Sequence, residues 1–184
     1  MPEEKRSISA ARNVVLGRFA WVDGHADVWA AFRDGRALRL LVHALVEPFV
    51  DDGITAVCGI ESRGFLLGGA AAIQLGVGFI AIRKNDGLLP GVKSARISAP
   101  DYVGKTHRLR LQRSALTPGD RLILVDDWIE TGSQFRAARE LVNDCGASLI
   151  AYSVMVDDLT DQQRADLGRG HALLRANELP TTQS

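Results

Sequence analysis

Leu122-Ile123-Leu124-Val125-Asp126-Asp127-Trp128-Ile129-Glu130-Thr131-Gly132-Ser133-Gln134 is the stretch on which the fold turns. Its four leading apolar residues read as a strand buried on both faces, the signature of a parallel sheet. Two adjacent carboxylates follow, then a small hydroxyl-bearing turn, then a helix from Gln134. In open α/β sheets ligands bind beyond the carboxyl ends of strands, and helix N-termini present free N–H groups to anions. One turn thus offers acceptors for a polyhydroxy group and donors for a phosphate, and a sugar phosphate needs both.

The rest of the chain is consistent with that strand. Residues 36–50 have helical apolar spacing, 54–60 a short apolar run, and 65–75 a small-residue helical stretch that stops at Gly76. Strands are predicted at 78–82, 107–112, 121–125 and 148–156, with a helix over 134–145 capped by Gly146. Alternating strands and helices give an α/β fold: one domain, a mostly parallel central sheet flanked by helices. Residues 1–35 form an N-terminal segment, expected to be a small hood, with residues 1–10 loose. Residues 36–178 are the core and 179–184 a tail, with the chain expected to be loose from about Glu178. Within the core, 84–105 gathers Gly, Pro, Asn and Asp without a period and reads as a long flexible lid loop.

The 184 residues carry no formal net charge, so there is no broad electrostatic footprint for nucleic acid or an anionic membrane, and neither partner is expected. The apolar runs are too short to span a bilayer, and the charged start lacks a secretory pattern, so the chain reads as cytoplasmic. Cys58 and Cys145 have no metal-ligand spacing and read as buried thiols. No Gly-x-Gly-x-x-Gly follows a strand, which argues against a dinucleotide-binding oxidoreductase.

Asp126 and Asp127 repel one another unless exposure or a partner offsets their proximity. At a strand end they suit a ribose diol or Mg²⁺ held through water; the same pair also suits a solvated turn. Thr131, Gly132 and Ser133 suit a phosphate at the helix N-terminus, or a plain cap.

The segment resembles the phosphoribosyl-diphosphate signature of type I phosphoribosyltransferases. A second segment, Gly59-Ile60-Glu61-Ser62-Arg63-Gly64-Phe65-Leu66-Leu67-Gly68, followed by Ile82-Arg83-Lys84 and Leu89-Pro90-Gly91, is similar to the adenine phosphoribosyltransferase branch. The likeness covers about residues 57–156. It implies transfer of a phosphoribosyl group from phosphoribosyl diphosphate to a purine, most simply adenine giving AMP, with Mg²⁺ as cofactor and a homodimer as the assembly. By resemblance, the diphosphate is held by Glu61, Ser62, Arg63 and Gly64, joined by Arg83 and Lys84. The Glu61–Ser62 peptide is expected to be cis. Asp126 and Asp127 bind the ribose and the metal, the latter through water, and Thr131, Gly132, Ser133 and Gln134 enclose the 5-phosphate. Arg63 also supplies positive charge at the leaving group. Asp101 and Tyr102 stand where relatives carry Glu-Tyr, giving a candidate acid–base group and a candidate lid contact.

Three departures bear on base choice and chemistry. Asn85-Asp86-Gly87-Leu88, just before Leu89-Pro90-Gly91, holds no lysine, leaving Lys93 or Arg96 as substitutes, and Ser133-Gln134 replaces the usual Gly-Thr. Glu130 occupies a place that is small in adenine enzymes and aspartate in 6-oxopurine enzymes. Three readings of it stay open: a general base, a determinant of base choice, or a solvent-facing side chain. Trp21-Val22-Asp23-Gly24 is the best match to the base-binding segment, so the backbones of Ala20 and Val22 and the ring of Trp21 are candidates for base binding. Phe32-Arg33-Asp34 matches by letter but lies too close to Glu61. The alternatives are a 6-oxopurine enzyme acting on hypoxanthine, guanine or xanthine, and a non-catalytic regulator that binds phosphoribosyl diphosphate.

Overall fold

The computed structural model describes residues 3–86, 88–101 and 103–181. The first element is a helix, α1 (Glu3–Arg18), where polarity predicted a loose segment. Ile8, Ala11 and Val15 make an i, i+3, i+7 stripe that packs on the core, with Ala11 and Val15 fully buried. That stripe outweighs the charged start.

Next, β1 (Ala20–Val22) pairs antiparallel with β2 (His25–Asp27). Between them Asp23 and Gly24 have φ of 50° and 76°, as a two-residue hairpin turn requires. α2 (Trp29–Arg33) leads into α3 (Gly35–Val46), whose N-terminus is capped by Asp34 accepting the N–H groups of Arg36 and Ala37. Asp34 also pairs with Arg18 at 2.6 Å, and Phe32 is buried. Phe32-Arg33-Asp34 therefore builds core and cap.

The remaining order is β3 (Ala56–Ile60), α4 (Arg63–Leu75), β4 (Gly78–Lys84), β5 (Lys93–Ile97), β6 (Arg108–Gln112), β7 (Arg121–Ile129), α5 (Ser133–Asn143), β8 (Ser148–Asp157), α6 (Asp161–Leu167) and β9 (Gly170–Arg175). Among the described residues, seven strands form one sheet in the order β5-β6-β4-β3-β7-β8-β9. β4, β3, β7, β8 and β9 are parallel, while β6 runs antiparallel to β4 and β5 antiparallel to β6. This is the predicted single α/β domain with a mostly parallel central sheet.

Side chains alternate across the sheet and feed two cores. Val57, Ile123 and Val125 pack with α1, α3 and α4; Cys58, Ile82 and Leu124 pack with α5. Cys58 is buried and Cys145 partly so, and both are free thiols.

Three further predictions are corrected. The 84–105 segment contains β5, because residues 93–97 pair with residues 108–112 of β6. β7 runs on to Ile129 rather than ending at Val125, because Asp126 and Trp128 remain in register with Val154 and Val156 of β8. The tail from Glu178 is anchored: Glu178 pairs with Arg12 at 2.6 Å, Leu179 is buried, and the Pro180 carbonyl accepts the Trp21 indole N–H at 2.8 Å.

Candidate active site

The carboxyl ends of β3, β4, β7 and β8, closed by the hairpin, enclose a cavity of about 850 Å³. Its position follows from topology, since β3 and β7 are adjacent parallel strands whose helices α4 and α5 pack on opposite faces of the sheet.

At the end of β3 the chain turns through Glu61 and Ser62, whose peptide is cis as expected. The turn comes very near β7. A Cβ on Gly64 would meet the Asp126 carboxylate at 2.8–3.0 Å, and one on Gly59 would meet the Gly64 carbonyl oxygen at 2.0 Å. Both glycines are there because backbone replaces side chain at a close approach. Arg63, the first residue of α4, points across the cavity floor. Its Nε lies 2.9 Å from Asp127 Oδ2, and its Nη1 donates to the Ala26 carbonyl of β2 at 3.3 Å.

The two aspartates differ. Asp127 is buried and faces Arg63. Asp126 accepts the Asp127 N–H at 2.9 Å, and burial, then the Asp127 charge, push its carboxyl well above the ordinary aspartate range. Lys84 lines the wall at the end of β4. Burial pulls its ammonium below the usual lysine range, against the opposing pull of Asp126 and Asp127.

The predicted phosphate turn lies in the same cavity. Thr131, Gly132, Ser133 and Gln134 all line it. Gly132, at the N-cap of α5, has φ 71° and offers no side chain to the helix N–H groups. A Cβ there would meet Leu167 Cδ1 at 2.5 Å, so the bend is pressed against α6. Thr131 Oγ1 accepts the Ser133 N–H at 3.2 Å, and Arg136 donates to the Thr131 carbonyl at 2.7 Å. These bonds fix the entry to α5.

Glu61, Ser62 and Arg63 therefore share one cavity with Lys84, Asp126 and Asp127, and Trp21, Asp101 and Glu130 line it too. Gly64 lies behind the wall, against Asp126. Arg83 is not brought to the cavity. Strand alternation turns it to the opposite face from Lys84, where it pairs with Glu61 at 2.9 Å and donates to the Leu88 carbonyl. That guanidinium holds the Glu61 carboxyl below the usual glutamate range. Ala20 and Val22 do not line the cavity either; they sit on β1, while Gly24, His25 and Ala26 form the wall from the turn and β2. Arg96 is tied to α5 through Asp144 at 2.6 Å, so it is not a free substitute for a loop lysine. Tyr102 lies outside the described residues.

Asp101 and Glu130 also contrast. The Asp101 carboxylate accepts the N–H groups of Val103 and Lys105 at 3.1 and 2.8 Å and lies 3.0 Å from His107 Nε2. Burial alone would raise its pKa, but these donors together hold it below the ordinary range. For Glu130, burial first, then the charges of Asp158 and Asp101, push the carboxyl up to about 7.

Trp128 and Asp158 line the cavity as well, and neither was anticipated. Trp128 meets Trp21 edge-on at 6.4 Å between ring centroids. An indole inside a strand-end motif was a readable signal for a wall that faces a flat ring. Asp158 carried no signal in the sequence, since its place depends on β8 pairing with β7.

Sheet order, strand-end acids and anion-ready helix start together define a phosphoribosyltransferase, and residues 29–167 match the phosphoribosyl transferase domain family. The adenine phosphoribosyltransferase of Dinoroseobacter shibae is 43% identical over 134 residues, 71% of this chain and 72% of that protein. The crystal structure of adenine phosphoribosyltransferase from Rhodothermus marinus superposes with a TM-score of 0.80 at 31% identity, covering 91% of this chain and 99% of that one. The Saccharomyces cerevisiae enzyme, complexed with an imino-altritol bisphosphate and adenine, gives a TM-score of 0.75 at 30% identity over 90% and 99% of the two chains. This chain belongs to the adenine phosphoribosyltransferase family, and it is an enzyme of phosphoribosyl transfer.

Proposed function

We propose that the enzyme joins adenine to the 5-phosphoribosyl group of phosphoribosyl diphosphate, forming AMP and releasing pyrophosphate. The observation that carries this reading is the convergence of Arg63, Asp126–Asp127 and the Thr131–Gln134 turn on one cavity. In this reading the ribose hydroxyls bond to the strand-end carboxylates, and the 5-phosphate takes the N–H groups at the start of α5. Arg63 and Lys84 face the leaving diphosphate, and the cis turn at Glu61–Ser62 brings backbone to it. Bond breaking at ribose C1 leads bond making, so fixed charges at the leaving end and exclusion of water do most of the work. Trp21 and Trp128 are the walls against which the purine lies.

Glu130 is the group we assign to the ring proton. Adenine attacks through N9, whose lone pair is free when the proton sits on N7; as the N9–C1 bond forms, the N7 proton passes to Glu130. A carboxyl poised near neutrality suits that task. Asp101, with its acceptors engaged, holds the lid turn instead of moving protons.

Mg²⁺ fits the donor set. Among the described residues no group of three or more His, Cys, Asp or Glu is arranged to hold a metal, so an all-protein cage is not what the site offers. Mg²⁺ characteristically uses one or two carboxylates and fills its other positions with water and phosphate. Asp126 and Asp127 would hold it through water, and a cation there would offset their mutual repulsion. When bound, the ion would neutralise charge on the departing pyrophosphate. We further propose a homodimer, on the support of Leu66 and Ile73, apolar residues seven apart that lie exposed on α4. No helix among the described residues is long and apolar enough to cross a membrane, and the cytoplasm is the proposed location.

The test is a base panel: purified protein, phosphoribosyl diphosphate, Mg²⁺ and each of adenine, hypoxanthine, guanine and xanthine. AMP formation with adenine strongly preferred is expected, and it should stop when Mg²⁺ is chelated. Glu130 is the specific reason to include the 6-oxopurines, and their use in preference to adenine would replace this reading. Binding of phosphoribosyl diphosphate without turnover on any base would point to a regulator.

A further inference from the structure

The site contains a second carboxyl for which the transfer chemistry has so far given no task. β7 and β8 are parallel neighbours with Ile129 opposite Asp157, so residues 130 and 158 leave the sheet side by side. The Asp158 N–H donates to the Ile129 carbonyl at 2.8 Å and extends the pairing past the last registered pair. Both side chains line the cavity. The backbone beneath is held firmly. Asp157 is buried, pairs with Arg164 at 2.8 Å and Arg175 at 3.4 Å, and accepts the Leu159 N–H at 2.8 Å. The first turn of α6 is locked in its turn by a capping box between Thr160 and Gln163. Asp158 is thus a placed side chain, fixed on one side by β7 and on the other by α6.

We propose that Asp158 is a positioning residue for the transfer reaction: fixed beside Glu130 by strand pairing, it shares one proton with Glu130 during turnover and returns that proton to solvent. This rests on the assignment of Glu130 as proton acceptor. Glu130 is half-buried, whereas Asp158 is exposed at the cavity mouth, so the pair joins the reacting ring to water. The step balances: N7 loses its proton as N9 bonds to C1, Glu130 gains it and passes it to the ionised Asp158, and Asp158 releases it to water, leaving both carboxylates as they began. A neighbouring negative charge favours the protonated carboxyl, so Asp158 raises the proton affinity of Glu130; the Asp158 carboxyl is itself pushed up by burial and then by Asp157, against a hydrogen bond from Trp128. Burial, the Asp158 charge and the Asp101 charge act on Glu130 in that order. The other titratable groups on the cavity wall are His25 of β2, Glu61 of the turn after β3, Arg63 of α4, Lys84 of β4 and the Asp126–Asp127 pair of β7.

The experiment is the pH dependence of kcat/KM for adenine in wild type, Asp158→Asn, Asp158→Glu and Glu130→Gln, with thermal melts as a check on folding. Wild type should gain activity as pH rises through the Glu130 titration. Asp158→Asn should shift that limb to lower pH by about half a unit or more, since a like charge has been removed. Asp158→Glu should restore the wild-type position, which a merely structural role would not produce. An Asp158→Asn limb coincident with wild type, in a protein that melts normally, overturns the proposal. Survival of the limb in Glu130→Gln would instead overturn the assignment of Glu130 beneath it, and AMP formation by the wild type would still stand.

Discussion

Arg63 Nε sits 2.9 Å from Asp127 Oδ2, joining the first turn of α4 to the end of β7 across the floor of the cavity. Asp127 is buried and Arg63 only partly so, which makes the pair asymmetric. Removing the acid frees a cation that water still reaches, whereas removing the cation strands a charge in the interior.

Asp127→Asn should therefore raise KM for phosphoribosyl diphosphate more than KM for adenine. A charged hydrogen bond of about 1.5–3 kcal/mol predicts roughly a tenfold rise or more. Steady-state kinetics with each substrate varied in turn checks it, and an unchanged KM for the sugar phosphate would remove Asp127 from the ribose site.

Gly64→Ala should be more damaging than its size suggests. The new methyl would sit 2.8 Å from one Asp126 carboxylate oxygen and 3.0 Å from the other. Overpacking of this kind costs about 1–3 kcal/mol. The expected result is a lowered Tm together with weakened use of phosphoribosyl diphosphate. Gly69→Ala is the control, since nothing lies within 4 Å of that position.

Glu130 links folding to pH with a definite sign. Its carboxyl titrates near 7 in the folded chain against about 4.5 ordinarily, so between those values the folded state binds more proton than the unfolded. Stability from this group is therefore full below pH 4.5 and is lost as pH rises toward 7. Glu130→Gln should flatten that decline, measured by denaturant unfolding at pH 5 and pH 8. An identical pH dependence in the variant would return Glu130 to a solvent-facing role.

Asp101→Asn should loosen the lid turn without abolishing chemistry. The carboxylate accepts the Val103 and Lys105 N–H groups, and a neutral amide accepts more weakly. Faster hydrogen exchange at those two amides is expected, with reduced rather than abolished kcat. Loss of all turnover with unaltered exchange would reinstate Asp101 as the acid–base group.

The central strand was readable because Leu122–Val125 is an unbroken apolar run, as a strand buried on both faces requires. The phosphate turn was readable because Thr131-Gly132-Ser133 must be small where it presses on Leu167. What stayed hidden depends on partners distant in sequence. β5 exists because β6 pairs with it, and β7 outruns its apolar run because β8 continues beside it. Period-2 alternation could have separated Arg83 from Lys84, since successive side chains of a strand leave on opposite faces of the sheet. α6 also had a readable start in Thr160 and Gln163. Asp158 had none.

The 2.8 Å bond from the Trp21 indole to the Pro180 carbonyl has a practical consequence. It leashes Pro180 to the β1 hairpin, whose Trp21 lines the cavity. A tag or fusion appended beyond Pro180 would load that hydrogen bond, so kinetic constants for the base should be compared between C-terminally tagged and cleaved protein before specificity is assigned.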